Sequence, residues 1–104
     1  MIASISIDEA VKHLDNPDII WLDVRTRDEY RKGHIQNSIH IPVDELETRC
    51  IQELPDIDKT IYVYCLSGSR SNMAAALLQE KGYTHVFSIS NGLLEWRSKK
   101  YPLV

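Results

Sequence analysis

The chain has 104 residues, close to the commonest size of one domain, so we expect a single domain over residues 1–104. Its composition, 43% hydrophobic and 26% charged, is that of a globular protein that folds without disulfides or a metal. The formal net charge is -3 and no segment carries a basic stripe, so nucleic acid is not an expected partner. The N-terminus has no basic region followed by a long apolar run. We therefore expect no signal peptide, no membrane span and a cytoplasmic location.

Capped helices and apolar runs alternate through the first part of the chain. A capping box at residues 6–9 predicts a short helix through Leu14, ended by residues 16–17, Asn-Pro. Residues 19–24 are mostly apolar, which favours a buried strand. A second capping box at residues 26–29 predicts another short helix, which the next glycine ends.

The middle of the chain continues this alternation. Residues 39–41 are predicted to form a short strand that Pro42 ends. Asp44 or its neighbour is expected to cap a third helix that runs through about Leu54. Residues 61–64 are β-branched and aromatic, which predicts a strand, centrally placed in the sheet.

The last third completes the pattern. Apolar spacing predicts a helix over residues 71–81, with Gly82 as its stop. A strand over residues 86–89 follows, then a turn at residues 91–92 and a last helix over residues 93–99. Strands alternating with helices indicate an α/β fold, with a mostly parallel sheet and helices on both faces.

The segment from Cys65 to Arg70 is the candidate site, because it connects a predicted strand to a predicted helix. Sites in open α/β sheets lie at the carboxyl ends of strands, and a helix N-terminus directs several backbone N–H groups at one spot. Such a place favours an anion and lowers the pKa of a thiol. Arg70 adds a fixed positive charge with several donors, and Gly68 allows the backbone to turn tightly.

Three serines, Ser67, Ser69 and Ser71, supply hydroxyl donors without bulk in this segment. The chemistry that needs this arrangement is attack by sulfur on a small anion, or storage of a charged sulfur adduct. The alternative is a buried cysteine beside an ordinary turn. Ordinary turns seldom combine a thiol, a glycine and an arginine before a helix, so we favour the reactive cysteine.

Three motifs in register resemble the signatures of the rhodanese family. Residues 65–71, Cys-Leu-Ser-Gly-Ser-Arg-Ser, resemble its active-site loop, C-x-x-G-x-R-[ST]. Residues 22–30 and 33–35 resemble its N-terminal signature, D-V-R-x-x-x-E-[YF]-x-x-G-H-I. Residues 92–96, with Pro102 near the end, resemble its C-terminal signature. Together the three motifs span nearly the whole chain in the family's order.

The resemblance implies a sheet of about five parallel strands and a two-step sulfur transfer. In the first step, the Cys65 thiolate attacks the sulfane sulfur of a donor such as thiosulfate, expels sulfite and holds a persulfide. In the second, an acceptor takes the sulfur: cyanide in the family's assay, a small thiol or a protein in the cell. The backbone N–H groups from Leu66 to Ser71 would cradle the persulfide, and Arg70 would orient the incoming anion. No metal or organic cofactor is implied.

Four residues outside the loop are expected to support it or the fold. Asp23 and Arg25 leave their strand on the same side, so we expect them to pair with each other or with neighbours. Glu29 is interpreted as a capping residue. His34 is expected to be structural, because a thiolate stabilised by the loop needs no general base.

Two rival functions stay open at this point. Cysteine phosphatases and arsenate reductases also hold a thiolate in a backbone cradle with an arginine, but with five residues between the two. Here there are four, from Leu66 to Ser69, which suits a sulfur adduct better than a tetrahedral anion. A relay module would accept sulfur from a desulfurase partner and pass it on. The apolar Leu66 at the rim of the loop is compatible with such a protein partner.

The remaining expectations concern the second cysteine and the assembly. Cys50 lies in a predicted helix without electropositive surroundings beyond Arg49, so we interpret it as a bystander, although a resolving thiol is an alternative. The histidines and cysteines show no metal-ligand spacing. The pattern is compatible with a monomer and with a homodimer.

Overall fold

The computed structural model describes residues 2–104, which form a five-stranded parallel sheet. The strand order is β1-β5-β4-β2-β3, so β4 lies at the centre. The strands are β1 (Ser4–Ile5), β2 (Ile19–Asp23), β3 (Ile39–His40), β4 (Thr60–Tyr64) and β5 (Val86–Ile89). The predicted α/β class and the parallel sheet are confirmed.

Helices cover both faces of this sheet. They are α1 (Ile7–Val11), α2 (Arg27–Arg31), α3 (Leu46–Glu53), α4 (Ser69–Glu80) and α5 (Gly92–Ser98). The apolar side chains of α3 and α4 pack on one face, and those of α1 and α5 pack on the other. No helix within residues 2–104 is long and apolar enough to cross a membrane.

Successive side chains of β4 point to opposite faces of the sheet, and each face has its own apolar core. Val63 and Cys65 point to the core beneath α3 and α4, whereas Tyr62 and Tyr64 point to the core beneath α1 and α5. Cys65 therefore follows the central strand directly and emerges at the carboxyl edge of the sheet. This is the edge at which open α/β sheets place their sites.

Helices start at both predicted capping boxes, but only the second box has both of its hydrogen bonds. At α2 the box is complete: the Thr26 hydroxyl accepts from the N–H of Glu29, and the Glu29 carboxylate accepts from the N–H of Thr26. At α1 the Ser6 hydroxyl accepts from the N–H of Glu9. This helix ends at Val11 instead of Leu14, and a hydrogen-bonded turn continues from it.

The predicted cap of the third helix is confirmed in position only, because Glu45, the neighbour of Asp44, is the N-cap residue of α3. Neither Asp44 nor Glu45 makes a side-chain capping bond at the start of α3. A 3-10 turn, Val43–Glu45, precedes the helix instead and follows directly from Pro42. The N–H of Glu45 donates to the carbonyl of Pro42 at 2.9 Å. The backbone of this turn thus begins the helical bonding that a capping side chain would otherwise assist.

Two further differences lie close to the site. The strand β1 was not predicted, because two residues are too few for a hydrophobic period, and its pairing with β5 is a tertiary contact. The helix α4 begins at Ser69, two residues before the predicted start. Arg70 consequently lies in the first turn of the helix and not in the loop before it.

Candidate active site

The Cys65 thiol lies at the bottom of the loop between β4 and α4, with 1% of the residue exposed. Its Sγ accepts two backbone hydrogen bonds, from the N–H of Gly68 at 3.1 Å and from the N–H of Ser71 at 3.3 Å. Both donors belong to the beginning of α4, whose first N–H groups have no partner within the helix. Of the residues from Leu66 to Ser71 that were predicted to cradle a persulfide, Gly68 and Ser71 donate their N–H groups to the sulfur.

Two opposing influences act on the pKa of Cys65. Burial is the largest single influence, and it raises the pKa, because it disfavours the charged thiolate. The N–H and side chain of Ser71 and the N–H groups of Gly68 and Ser67 lower it, because donor groups close to the sulfur favour the charged thiolate. Their sum outweighs burial, so the pKa of Cys65 lies below its ordinary value. A thiol in this place carries a larger thiolate fraction at neutral pH than a free cysteine.

Gly68 lets the loop turn into the helix. It is the N-cap of α4, with φ +120°, a conformation that side chains with a Cβ rarely adopt. The same residue donates its N–H to Cys65. The glycine predicted for tight wrapping is thus required by the backbone itself.

The carbonyl groups of Cys65 and Leu66 are bound by the start of α5. The N–H of Leu93 donates to the carbonyl of Cys65 at 2.9 Å, and the N–H of Leu94 donates to that of Leu66 at 3.0 Å. At Gly92 a Cβ would lie 2.8 Å from the Leu66 carbonyl oxygen and closer still to that of Cys65. Only glycine therefore lets the start of α5 approach the loop this closely. The sequence pattern indicated a turn at this glycine, but gave no signal of the approach.

We predict that Gly92→Ala raises the apparent pKa of Cys65 toward the value of a free thiol, about 8.5, because the added methyl group displaces the loop carbonyls and turns the N–H groups off the sulfur. The pH dependence of alkylation by iodoacetamide measures this pKa. Gly82→Ala is the matched control, since Gly82 also has a positive φ, +100°, but has open space around it. Equal apparent pKa values in the two variants would contradict the prediction.

Arg70 is held by Glu29 of α2. Its Nη1 donates to Oε1 at 2.6 Å and its Nη2 donates to Oε2 at 3.0 Å, and both side chains are less than one third exposed. The Glu29 carboxylate also accepts from the N–H and the hydroxyl of Thr26. Glu29 therefore has a second function beyond the predicted cap. The hydrogen bonds from Arg70 are the main reason that its pKa falls to about 2.

This low pKa links Glu29 to acid stability. A carboxyl whose folded pKa is about 2, against an ordinary 4.5, stabilises the fold above pH 4.5 and loses that contribution as the pH falls toward 2. We predict that Glu29→Gln lowers the free energy of unfolding by about 1–2 kcal/mol at pH 7, and by much less near pH 2.5. Urea unfolding at the two pH values measures both differences. Asp28→Asn, which removes an exposed neighbouring charge, is the control. A deficit that is the same at both pH values would show that the charge is not the cause.

Asp23 and Arg25 form a buried ion pair at the end of β2. The guanidinium binds the carboxylate through Nε and Nη2, with a shortest distance of 2.7 Å, and both side chains are at most 1% exposed. Nη2 of Arg25 also donates to the carbonyl of Gly33 at 2.8 Å, and the guanidinium lies 5.8 Å from the centre of the Tyr64 ring. The pair thus connects β2 to the end of α2 and to the residue that precedes Cys65.

We predict that Arg25→Leu destabilises the fold by about 3–5 kcal/mol, because it leaves the Asp23 carboxylate buried without its partner. Arg31→Leu, which removes an arginine from the exposed pair with Asp28, should cost less than about 1 kcal/mol. Urea unfolding at pH 7 compares the two variants. Similar losses would contradict the idea that burial gives the Asp23–Arg25 pair its importance.

The structure places the other predicted residues as follows. Ser67 and Ser69 are exposed at the rim, and Leu66 is partly buried against the core beneath α5. The Ser71 hydroxyl is buried, donates to the carbonyl of Gly68 and shares a 2.8 Å hydrogen bond with Ser88, a partner that the sequence did not indicate.

His34 and Cys50 make their hydrogen bonds with residues outside the Cys65–Ser71 segment. The His34 ring stacks on Tyr30 at 3.7 Å and hydrogen-bonds its carbonyl, and the backbone of His34 pairs with that of Val104. Cys50 is a fully buried free thiol on α3. Within residues 2–104, no three His, Cys, Asp or Glu side chains are grouped as metal ligands.

The parallel α/β sheet places a buried cysteine with a lowered pKa at the start of a helix. These features define a class of proteins in which a loop holds a nucleophilic cysteine. Comparison with known proteins gives the family. The model of the rhodanese-like domain matches residues 6–99, so the chain belongs to the rhodanese family. The resemblance indicated by the three motifs is confirmed.

Individual relatives agree with this assignment. Thiosulfate sulfurtransferase PspE of Escherichia coli (strain K12) is 42% identical over 66 residues, which cover 64% of each chain. YrkF of Bacillus subtilis (strain 168), whose name proposes a sulfur carrier, is 37% identical over 99 residues, or 94% of this chain and 52% of YrkF. A rhodanese-related protein from Thermoplasma volcanium superposes with a TM-score of 0.84 at 31% identity, covering 98% of this chain and 97% of that one. The chain thus spans about half to two thirds of the length of these two curated relatives.

Proposed function

We propose that this chain is a sulfurtransferase that carries a sulfane sulfur on Cys65. It takes the sulfur from thiosulfate or another sulfane donor and passes it to a small thiol or a protein. The observation that carries the proposal is the Cys65 sulfur itself, which is buried, accepts two backbone N–H groups and has a lowered pKa. PspE, which is named a thiosulfate sulfurtransferase, supports thiosulfate as the first donor to test.

In the first half-reaction, the Cys65 thiolate attacks the outer sulfur of the donor. With thiosulfate, the new bond joins Sγ to the sulfane sulfur, the old S–S bond breaks, and its electron pair leaves with sulfite. The product is a Cys65 persulfide that carries one negative charge. The N–H groups of Gly68 and Ser71 stabilise the attacking Sγ thiolate, the persulfide charge then lies on the outer sulfur bonded to this Sγ, and no proton has to be supplied.

In the second half-reaction, an acceptor thiolate attacks the outer sulfur of the persulfide. The Sγ–S bond breaks, and the electron pair returns to Sγ, which leaves as the thiolate that the cradle stabilised at the start. The same low pKa that favours attack also makes Cys65 a good leaving group. The site therefore returns to its initial state without a redox cofactor.

A relay module is the second candidate, and one observation favours it. The one arginine between residues 65 and 71, Arg70, is engaged by Glu29, so less of its charge is free to attract a small dianion such as thiosulfate. A protein persulfide donor would bring its own binding surface and depend less on that charge. The name of YrkF, which proposes a sulfur carrier, supports this candidate.

We predict that reduced protein mixed with thiosulfate gains the mass of one sulfur atom, because the Cys65 thiolate keeps the transferred sulfur when no acceptor is present. Intact-mass spectrometry measures the gain, and cyanide or a thiol should remove it. Cys65→Ser should gain nothing. Cys50→Ala, which removes the other thiol, is the matched control and should load like the native protein.

The donor used distinguishes the candidates. Loading from thiosulfate supports the enzyme, whereas loading only from a protein or small-molecule persulfide supports the relay module. If neither donor loads Cys65, the sulfurtransferase proposal fails. Turnover of an aryl phosphate or of arsenate would then be the next measurement.

A further inference from the structure

The segment from Cys65 to Ser71 contains one cationic side chain, Arg70, and the structure gives it a fixed anionic partner. Two N–H groups of the guanidinium donate to the two oxygens of Glu29, at 2.6 and 3.0 Å. A guanidinium has five N–H donors, so three of them stay available to a bound molecule. Arg70 can thus still donate hydrogen bonds to a sulfur donor, but its positive charge is offset by an adjacent carboxylate.

Glu29 is also fixed from the side of α2. Its Oε1 accepts from the Thr26 N–H at 3.0 Å and from the Thr26 hydroxyl at 3.1 Å, as part of the capping box of that helix. Moving the carboxylate away from Arg70 would therefore also break the start of α2. We conclude that the negative charge stays beside Arg70 when a donor arrives.

A sulfur donor at this site faces two negative charges, the Cys65 thiolate and the Glu29 carboxylate, and one positive charge on Arg70. Each further charge on the donor adds repulsion in surroundings that are partly shielded from water. Resting on the function proposed above, we propose that Glu29 is a specificity-determining residue that favours singly charged sulfane donors over doubly charged ones. Thiosulfate is then accepted less well than donors of the same chemistry that carry one charge fewer.

Methanethiosulfonate is the matched probe for this idea, because it replaces one oxygen of thiosulfate with a methyl group and carries one charge instead of two. The reaction is the same: Cys65 forms a bond to the outer sulfur, the S–S bond breaks, and its electron pair leaves on methanesulfinate instead of sulfite. Both donors yield the same Cys65 persulfide. Their difference in intrinsic reactivity cancels when the ratio of their kcat/KM values is compared between variants.

The first test compares native protein with Glu29→Gln, using both donors and cyanide as acceptor. We expect the thiosulfate to methanethiosulfonate ratio of kcat/KM to rise about tenfold in the variant, because one unit of repulsion is removed. Asp28→Asn makes the same change in net charge in the same helix turn without contacting Arg70, and should leave the ratio within about twofold. A ratio that is unchanged in Glu29→Gln, with both donors slowed equally, would overturn the proposal and leave Glu29 as an anchor for Arg70.

A second test uses the native protein alone and does not depend on the folding of a variant. Unreactive methanesulfonate should protect Cys65 from iodoacetamide at concentrations about tenfold lower than sulfate, when ionic strength is held constant. Protection by sulfate at equal or lower concentrations would overturn the proposal. If neither donor loads native Cys65 while methanesulfonate still protects it at the lower concentration, the proposed function fails but the charge preference stands.

Discussion

The backbone that follows Cys65 has its carbonyl and N–H groups bound to different partners, and the rest of the site depends on this separation. The carbonyls of Cys65 and Leu66 accept from the first N–H groups of α5, whereas the N–H groups of Gly68 and Ser71 donate to the sulfur. If a carbonyl turned inward, it would repel a thiolate and would leave N–H groups of α5 without a partner. The helices α4 and α5 therefore stabilise the thiolate jointly: one supplies the donors and the other removes the competing acceptors. Gly92 makes the second contribution possible.

A second set of contacts connects the Cys65 segment to β2 and α2. Asp23 and Arg25 end β2 as a buried pair, and Arg25 reaches the carbonyl at the end of α2. From the start of the same helix, Glu29 holds Arg70. The short helix α2 has no buried residue of its own, so its position depends on these polar contacts more than on apolar packing. Loss of the Asp23–Arg25 pair would therefore change the position of α2 and, through Glu29, the position of Arg70, which is distant from the pair in sequence.

The sequence allowed much of this arrangement to be predicted, because the informative signals were local. Cys65, Gly68 and Arg70 lie within six consecutive residues, and the strand before them and the helix that follows were predicted from β-branching and hydrophobic period. The start of α4 was placed two residues too late, because residues 69–72 are polar and add nothing to the apolar spacing from which the helix was predicted.

The contacts that could not be predicted connect distant parts of the chain. The sequence motif predicts only the capping function of Glu29, and the fold alone brings Arg70 beside it. Likewise Asn91-Gly92 is an ordinary turn signal, and only the fold brings Gly92 against the loop carbonyls. Ser71 meets Ser88 only because β5 lies next to β4. Sequence pattern thus indicates which residues are reactive, whereas the fold decides which residues tune them.

These contacts separate two properties that an enzyme with a nucleophilic cysteine must set. The thiolate of Cys65 is stabilised mainly by backbone N–H groups, which depend on the position of α4 and α5. The charge that a donor meets at the mouth of the loop is set by two side chains, Arg70 and Glu29. Because the first property does not require the full charge of Arg70, the second can vary by substitution at Glu29 without loss of the nucleophile. On the proposed function, such a division would allow the fold to keep its sulfur chemistry while substitutions at Glu29 change the donors that it accepts.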